Sequence, residues 1–361
     1  MKPPFPWYGG KSQAAPLVWQ LLGDVDHYCE PFAGGLAVLL NRPHPCNRPY
    51  YSESVNDCDA LLVNAWRSIQ FSPEATAGAA SWPVAEADKS ARQIALLRWR
   101  EGEAADLLAG DPAFHDPVMG GWWLWAVAVQ IGAFAGDGAW IADPQTGRII
   151  KQPRGPGRVS EPGVFRDRPH LTSNGGGVAA PQLRAPGVRE PEAEDYHPTT
   201  MPKLLAWFAL LSARLRHVRI LNGDWSRLCT TGAMHTLTVR QGGYCGVFVD
   251  PPYAGDIRAS GLYAHDAGAL GADIRAWARE AGADPHNRIV LAGFDTEHGE
   301  LEAEGWTCHE WFVRDSLLRG GMGEQQPRER LWASPHCLGA ERAQGDLFAA
   351  RAPRSAGPLF A

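Results

Sequence analysis

The sequence predicts an α/β fold built on a mostly parallel sheet. Short apolar segments that end in polar or small residues alternate with longer segments of helical periodicity, which is the pattern of such folds. The composition agrees, because 45% hydrophobic and 20% charged residues are typical of a globular chain. A length of 361 residues indicates one large domain or two, and 40 Gly with 29 Pro predict long irregular stretches.

Four segments are predicted strands, since each is brief, rich in β-branched or aromatic residues and bounded by turn formers. They are residues 27–30 (HYCE), 49–53 (PYYSE), 246–250 (GVFVD) and 288–293 (RIVLAG). Predicted helices cover residues 56–70, 203–217 and 272–281. Ligands of parallel sheets bind at the carboxyl ends of the strands. Glu30, Glu53 and Asp250 are expected at those ends.

The longest apolar run, residues 121–135, is a predicted buried helix. It contains Gln130 and is shorter than the roughly 20 apolar residues that a membrane span needs. The amino terminus lacks the apolar segment of a signal peptide. The 7 cysteines include no Cys-x-x-Cys pair, a spacing that suits neither a zinc site nor a disulfide framework. We therefore expect a cytoplasmic protein with no metal and no membrane partner.

Between residues 101 and 200 the strand and helix alternation breaks down. Residues 147–190 carry eight Lys or Arg against three acids, in a chain whose net charge is −6. One interpretation is a solvated loop, and the other is an insert that follows nucleic-acid phosphates. Under the second interpretation Lys151, Arg154 and Arg158 are the predicted DNA contacts.

The strongest local signal is Asp250-Pro251-Pro252-Tyr253, directly after the apolar segment 247–249. Two prolines can simply stop a strand. They also lack N–H donors, so the carbonyl groups beside the Asp250 carboxylate act as acceptors on a stiff frame. The Tyr253 ring can stack on a flat partner. This set suits a planar group with an exocyclic amine, such as an adenine or cytosine flipped out of a duplex.

A second signal is the glycine turn Glu30-Pro31-Phe32-Ala33-Gly34-Gly35, which follows the first predicted strand and opens a helix. Alone it is weak, because such turns occur in many nucleotide-binding folds. About 20 residues later Glu53 ends the next predicted strand, a position where an acid often binds ribose hydroxyls.

These motifs, with Trp7-Tyr8-Gly9-Gly10-Lys11, residues 56–64 and Asn222-Gly223-Asp224-Trp225, occur in one order. In that order the chain resembles the Dam-like (D12 class) N6-adenine DNA methyltransferases over about residues 4–338, and residues 329–332 resemble the last strand of phage-type members. The resemblance implies a Rossmann-like S-adenosylmethionine-dependent methyltransferase fold with an inserted target-recognition domain. Residues 1–100 and 201–338 would form the catalytic domain, 101–200 the DNA-recognition insert and 339–361 a disordered tail.

The resemblance also implies the roles of individual residues. Lys11 would lie near the methionine carboxylate of the cofactor, Glu53 would hold its ribose and Asp224 would face its adenine. The implied S-adenosylmethionine-binding set is Trp7, Tyr8, Gly9, Lys11, Phe32, Ala33, Gly34, Glu53, Asp224 and Asp250, and the implied catalytic set is Asp250, Pro251, Pro252 and Tyr253. One position departs from the family turn Phe-x-Gly-x-Gly, because its last residue here is Leu36.

The implied reaction is a direct methyl transfer to the N6 amine of adenine in double-stranded DNA by a monomeric enzyme. The amine lone pair is delocalised into the ring, and acceptors at Asp250 and the Pro251 carbonyl would localise it. Two alternatives stay open: an N4-cytosine methyltransferase, although those enzymes more often carry Ser at the first motif position, and a catalytically silent DNA-binding relative.

The tail contains Gln344-Gly345-Asp346-Leu347-Phe348, a polar segment that ends in two large apolar residues. It resembles the peptides by which bacterial DNA enzymes dock on the replicative sliding clamp. That resemblance implies that Leu347 and Phe348 fill an apolar pocket of the clamp and that Gln344 is the polar anchor. The alternatives are a chance match and a strand-like end that folds back onto the core.

Overall fold

The computed structural model describes residues 1–5, 7, 10–43, 51–82, 86–129, 140–143, 146, 149–151, 200–252, 267–311 and 329–339. The helices in these ranges are α1 Ala15–Leu22, α2 Ala37–Leu40, α3 Ala60–Phe71, α4 Pro73–Ala80, α5 Glu86–Glu101, α6 Ala104–Gly110, α7 Pro117–Val129, α8 Thr200–Leu215, α9 Thr231–Met234, α10 Leu237–Arg240 and α11 Ala267–Gly282. The strands are β1 His27–Glu30, β2 Ser52–Asp57, β3 Trp140–Ala142, β4 Ile149–Lys151, β5 Val218–Asn222, β6 Cys245–Val249, β7 Asn287–Phe294, β8 Thr307–Glu310 and β9 Glu329–Ala333.

Seven of these strands form one sheet in the order β5-β2-β1-β6-β7-β9-β8. The pairs from β5 to β7 are all parallel, whereas β9 runs antiparallel to both β7 and β8. The predicted mixed α/β fold with a mostly parallel sheet is confirmed. Since β9 is reversed, its first residue lies at the edge where β7 ends.

Three of the four predicted strands match the structure to within a residue at each end, and the second does not. The strand predicted at 49–53 is β2 at Ser52–Asp57, and it pairs with β5 as far as Asp57 opposite Asn222. The following helix begins at Ala60 instead of residue 56, because the Asp59 side chain caps it by accepting from the Leu61 N–H at 2.9 Å. The polar residues after Glu53 are therefore strand and not turn.

Both faces of the sheet are covered, as the alternation of side chains along each strand requires. Tyr28 and Phe248 point into one hydrophobic core, which α1, α3, α7 and α8 cover. Cys29 and Val247 point into the other, which α11 covers with Ile274. Within the described residues, none of the helices combines the length and apolarity that crossing a membrane requires.

The predicted domain boundary at residue 100 cuts through a packed core. Helices α6 and α7 pack in the same core as α3, and α7 confirms the described part of the helix expected at 121–135. Arg67 of α3, 1% exposed, donates to the Leu108 carbonyl at 3.0 Å and to the Asp111 carbonyl at 2.8 Å. Residues 101–129 therefore belong with the seven-stranded sheet. Beyond them the structure describes a separate two-stranded sheet of β3 and β4.

Candidate functional site

The carboxyl edge of the sheet brings the amino-terminal motif to the Asp-Pro-Pro motif. Strands β1 and β6 are neighbours, and Asp250 follows directly after β6. Lys11, only 3% exposed, places its Nζ 3.0 Å from Asp250 Oδ1. Two motifs far apart in the sequence thus meet in one largely buried ion pair.

The Lys11 ammonium also lies 3.7 Å from Glu329 Oε2. Glu329 is the first residue of β9 and pairs with Phe294, the last residue of β7. Sequence reasoning missed Glu329, since only the reversed direction of β9 brings its start to the ligand edge. A buried ammonium needs compensating charge, and these two carboxylates provide it.

The glycine turn after β1 is held directly under Trp7. Gly34 has φ +46°, and a Cβ added there would lie 2.6 Å from Trp7 Nε1. At Gly35 an added Cβ would lie 3.0 Å from Trp7 Cβ. Any larger side chain would force Trp7 away, so close approach and backbone conformation both require Gly34.

Leu36 is where the turn departs from the family pattern, and it has a left-handed backbone at φ +53°. That conformation costs a residue with a Cβ roughly 1–2 kcal/mol. The Leu36 side chain is fully buried in the core, and burying a leucine contributes about 1.5–3 kcal/mol. Packing therefore offsets the strain that a glycine would avoid.

Asp57, at the end of β2, reaches the glycine turn. Its Oδ2 accepts from the Gly34 N–H at 3.0 Å, and its Oδ1 accepts from the Asp59 N–H at 3.0 Å. Burial raises the pKa of Asp57 to about 6, although these backbone bonds favour the ionised form. Sequence reasoning missed this residue because it ended the strand four residues too early.

Glu53 lies elsewhere, and the structure contradicts its predicted ribose role. Its Oε2 is 2.6 Å from Arg214 Nη1 and its Oε1 is 3.3 Å from Arg42 Nη1. The side chain is 2% exposed. Four residues along a strand correspond to about 13 Å, so Glu53 cannot reach the turn that Asp57 contacts. It belongs to a buried ion cluster near the amino end of β2.

Asp224 and its neighbours complete the carboxyl edge after β5. The Asp224 Oδ1 accepts from the Ser226 N–H at 2.9 Å and so caps a short 3-10 helix, Trp225–Leu228. The Trp225 ring stacks on Phe32 of the glycine turn, with ring centroids 6.3 Å apart. This stack places Asp224 beside an apolar wall at the turn.

The structure thus brings together Trp7, Lys11, Phe32, Ala33, Gly34, Asp224, Asp250 and the buried Pro251. Pro252 is half-buried next to them, and the backbone of Lys151 lies in β4. The remaining predicted residues fall outside the described ranges: Tyr8, Gly9, Tyr253, Arg154, Arg158, Gln344, Leu347 and Phe348.

Comparison with protein families gives a match over residues 7–82 to the D12 class N6 adenine-specific DNA methyltransferases. The matched segment contains Lys11, the glycine turn and all of β2. The match confirms the predicted resemblance over residues 7–82, and the matching family methylates adenine in DNA with S-adenosylmethionine. Comparison with curated proteins gives no match.

Proposed function

We propose that the chain is a site-specific DNA methyltransferase that transfers a methyl group from S-adenosylmethionine to N6 of a flipped-out adenine in duplex DNA. The observation that carries this proposal is the 3.0 Å ion pair between Lys11 and Asp250. It joins the proposed cofactor side of the site to the proposed catalytic side, at the edge where parallel sheets bind ligands.

The polar, charged and aromatic side chains at this edge fit S-adenosylmethionine. A carboxylate has about four acceptor positions, so Asp57 can accept from ribose hydroxyls while it keeps its bonds to Gly34 and Asp59. Asp57 takes the role predicted for Glu53. Phe32 would support the adenine ring and Asp224 would accept from its amine. Lys11 brings a positive charge toward the methionine carboxylate.

When bound, S-adenosylmethionine supplies an electrophilic methyl group on a sulfonium. Asp250 and the Pro251 carbonyl accept hydrogen bonds from the two N–H groups of the target amine. These hydrogen bonds localise the lone pair of the amine nitrogen. Lys11 orients the Asp250 carboxylate for that purpose. Positive charge develops on the amine during transfer, so these bonds strengthen in the transition state and lower the barrier. Tyr253 would stack on the flipped base.

The DNA duplex would lie along the insert, with Lys151, Arg154 and Arg158 neutralising phosphates. The recognition region begins after α7 in this proposal, because residues 101–129 pack with the sheet. The enzyme would act as a monomer in the cytoplasm.

The deciding experiment identifies the methylated nucleoside. Full-length protein is incubated with duplex DNA and S-adenosylmethionine, and the DNA is digested and analysed by mass spectrometry. We expect N6-methyladenine with the wild type and none with Asp250→Ala. N4-methylcytosine would support the cytosine enzyme instead. DNA binding with no methylated product, and no rise in melting temperature with S-adenosylmethionine, would support the silent relative.

We also propose that the tail docks on the bacterial sliding clamp through Gln344, Leu347 and Phe348. A peptide of residues 341–350 is titrated against the clamp by fluorescence anisotropy. We expect saturable binding that the double change of Leu347→Ala with Phe348→Ala removes. Binding that survives the double change would remove the proposal and leave the methyltransferase function unaffected.

A further inference from the structure

Three side chains with metal-binding atoms meet near the amino ends of β1 and β6, and the proposed methyl-transfer site uses none of them. His27 and Cys29 project from the same face of β1, because they are two residues apart on a strand. Cys245 begins β6 and pairs with His27. A ring nitrogen of His27 and the two sulfurs all lie within 4.8 Å of one another. All three residues are fully buried.

The spacing of these atoms is close to that of a tetrahedral metal site. Zn–S bonds of about 2.3 Å and Zn–N bonds of about 2.0–2.1 Å put neighbouring ligand atoms about 3.5–3.8 Å apart. His27 Nε2 lies 3.0 Å from Cys29 Sγ, and the full set stays within 4.8 Å. A cation would fit after shifts of about 1 Å or less.

Ser52, the first residue of β2, orients the His27 ring for metal binding. His27 Nδ1 lies 2.6 Å from Ser52 Oγ and 3.2 Å from the Ser52 carbonyl oxygen. The carbonyl can only accept, so a proton on Nδ1 satisfies this contact and leaves the Nε2 lone pair available to a cation. Metal-binding histidines typically donate their second ring N–H to such a carbonyl.

Both sulfurs lie in the apolar core that α11 covers. A thiolate in an apolar core needs a partner of opposite charge, and two thiolates neutralise a divalent cation.

We propose that His27, Cys29 and Cys245 bind a thiophilic divalent cation of the Zn²⁺ class. Each ligating cysteine releases its thiol proton to solvent, and no atom changes oxidation state. The three ligands are fully buried, so the site would be structural. The cation would clamp β1 to β6 at the end of the sheet opposite Asp250 and Asp57. The scattered cysteine spacing concealed these ligands, since they come from different elements.

The test uses Co²⁺ as a spectroscopic probe in the full-length protein, refolded from denaturant under reducing conditions so that the buried site can load. We expect one Co²⁺ per chain, with the visible bands of tetrahedral cobalt and an ultraviolet thiolate charge-transfer band, both removed by Zn²⁺. Cys29→Ser and Cys245→Ser should each lose most of the charge-transfer intensity. Cys308→Ser, an exposed cysteine outside the cluster, is the matched control and should keep both bands.

A second measurement, on the wild type, tests the proposal even if the cysteine variants fail to fold. Binding to the folded state alone raises stability, so the wild-type unfolding midpoint in denaturant should be higher with one equivalent of Zn²⁺ than with chelator. Natively refolded wild type without cobalt bands, or equal midpoints with Zn²⁺ and chelator, would overturn the proposal. So would unchanged bands in Cys29→Ser, or a Cys29–Cys245 disulfide found by mass spectrometry in the protein as purified.

Discussion

Two carboxylates on one strand, Glu53 and Asp57, have opposite environments. Both point to the same face of β2, since side chains on a strand alternate. Glu53, near the amino end, has arginine nitrogens against both of its oxygens. Asp57, at the carboxyl end, accepts from the backbone N–H groups of Gly34 and Asp59 and lies on the glycine turn. The position of each acid relative to the carboxyl edge therefore separates an acid in a buried ion cluster from the one that we propose contacts the cofactor.

The largest expected effect concerns the carboxyl edge itself. Asp250→Ala removes the charged acceptor proposed for the target amine, and we expect methyl transfer to fall by ~10²-fold or more. Steady-state formation of N6-methyladenine measures this loss, and circular dichroism checks that the variant is folded. Activity within about tenfold of the wild type would contradict the catalytic assignment.

Glu53→Gln tests whether the acid near the amino end of β2 stabilises the fold. It removes the carboxylate that the largely buried Arg214 shares with the buried Arg42, although Arg42 still contacts Asp24. Breaking a buried ion pair costs about 3–5 kcal/mol of unfolding free energy. Denaturant unfolding measures the loss. Glu300→Gln, in an exposed pair with Arg275, is the matched control and should change little. The S-adenosylmethionine affinity of folded Glu53→Gln protein should equal that of the wild type, and a clear drop would restore a ligand role.

Asp57→Asn should lower the cofactor affinity and leave the fold intact, which is the reverse of the effects expected for Glu53→Gln. A hydrogen bond to a charged group contributes about 1.5–3 kcal/mol, so S-adenosylmethionine should bind about 10–100-fold more weakly while the fold is retained. Isothermal titration calorimetry measures the change. Unaltered affinity in this variant would show that the ribose is held elsewhere.

The same variant gives a pH signature. The pKa of Asp57 is raised from 3.8 to about 6, so the folded state prefers the protonated acid. Its stabilising contribution is complete below pH 3.8 and is lost as pH rises through 6. Cofactor affinity should change in the other direction and rise between pH 5 and 7, because the carboxylate is the better acceptor. Asp57→Asn should show neither dependence, and an identical pH profile in both proteins would contradict the assignment.

The smallest expected effect lies in the insert. Replacing Lys151, Arg154 and Arg158 with Gln should lower the salt slope of DNA binding by up to about three. Fluorescence anisotropy over a range of salt concentrations measures the slope. Affinity for S-adenosylmethionine should stay constant, and a joint fall of both affinities would mean that the insert supports the fold.

Local signals predicted much of the sheet but not the bounds of β2. β1, β6 and β7 are apolar runs with clear ends, and these were predicted within a residue. In β2, by contrast, Asn56 and Asp57 resemble turn formers, and only their pairing with Leu221 and Asn222 keeps them in the strand. The ribose acid was therefore placed at Glu53.

The candidate site also contains residues that the sequence predicted and residues that it did not. Motif order predicted that Lys11 and Asp250 belong to one site, and the structure places them 3.0 Å apart. Glu329 was missed because its position depends on the direction of β9, which no local pattern reports. Ion pairs of Glu53 with Arg42 and Arg214 were equally hidden, since they join residues far apart in the sequence.

The pairing of β1 with β6 has a consequence for biosynthesis. His27 pairs with Cys245, so the ribosome must add roughly 220 further residues after β1, which takes about 10–40 s, before that ladder can close. During this interval one side of β1 is an unpaired edge with strand-forming hydrogen-bond groups exposed. The nascent chain is therefore vulnerable to aggregation until β6 emerges, and chaperone demand during expression should depend on how fast residues 58–244 are translated.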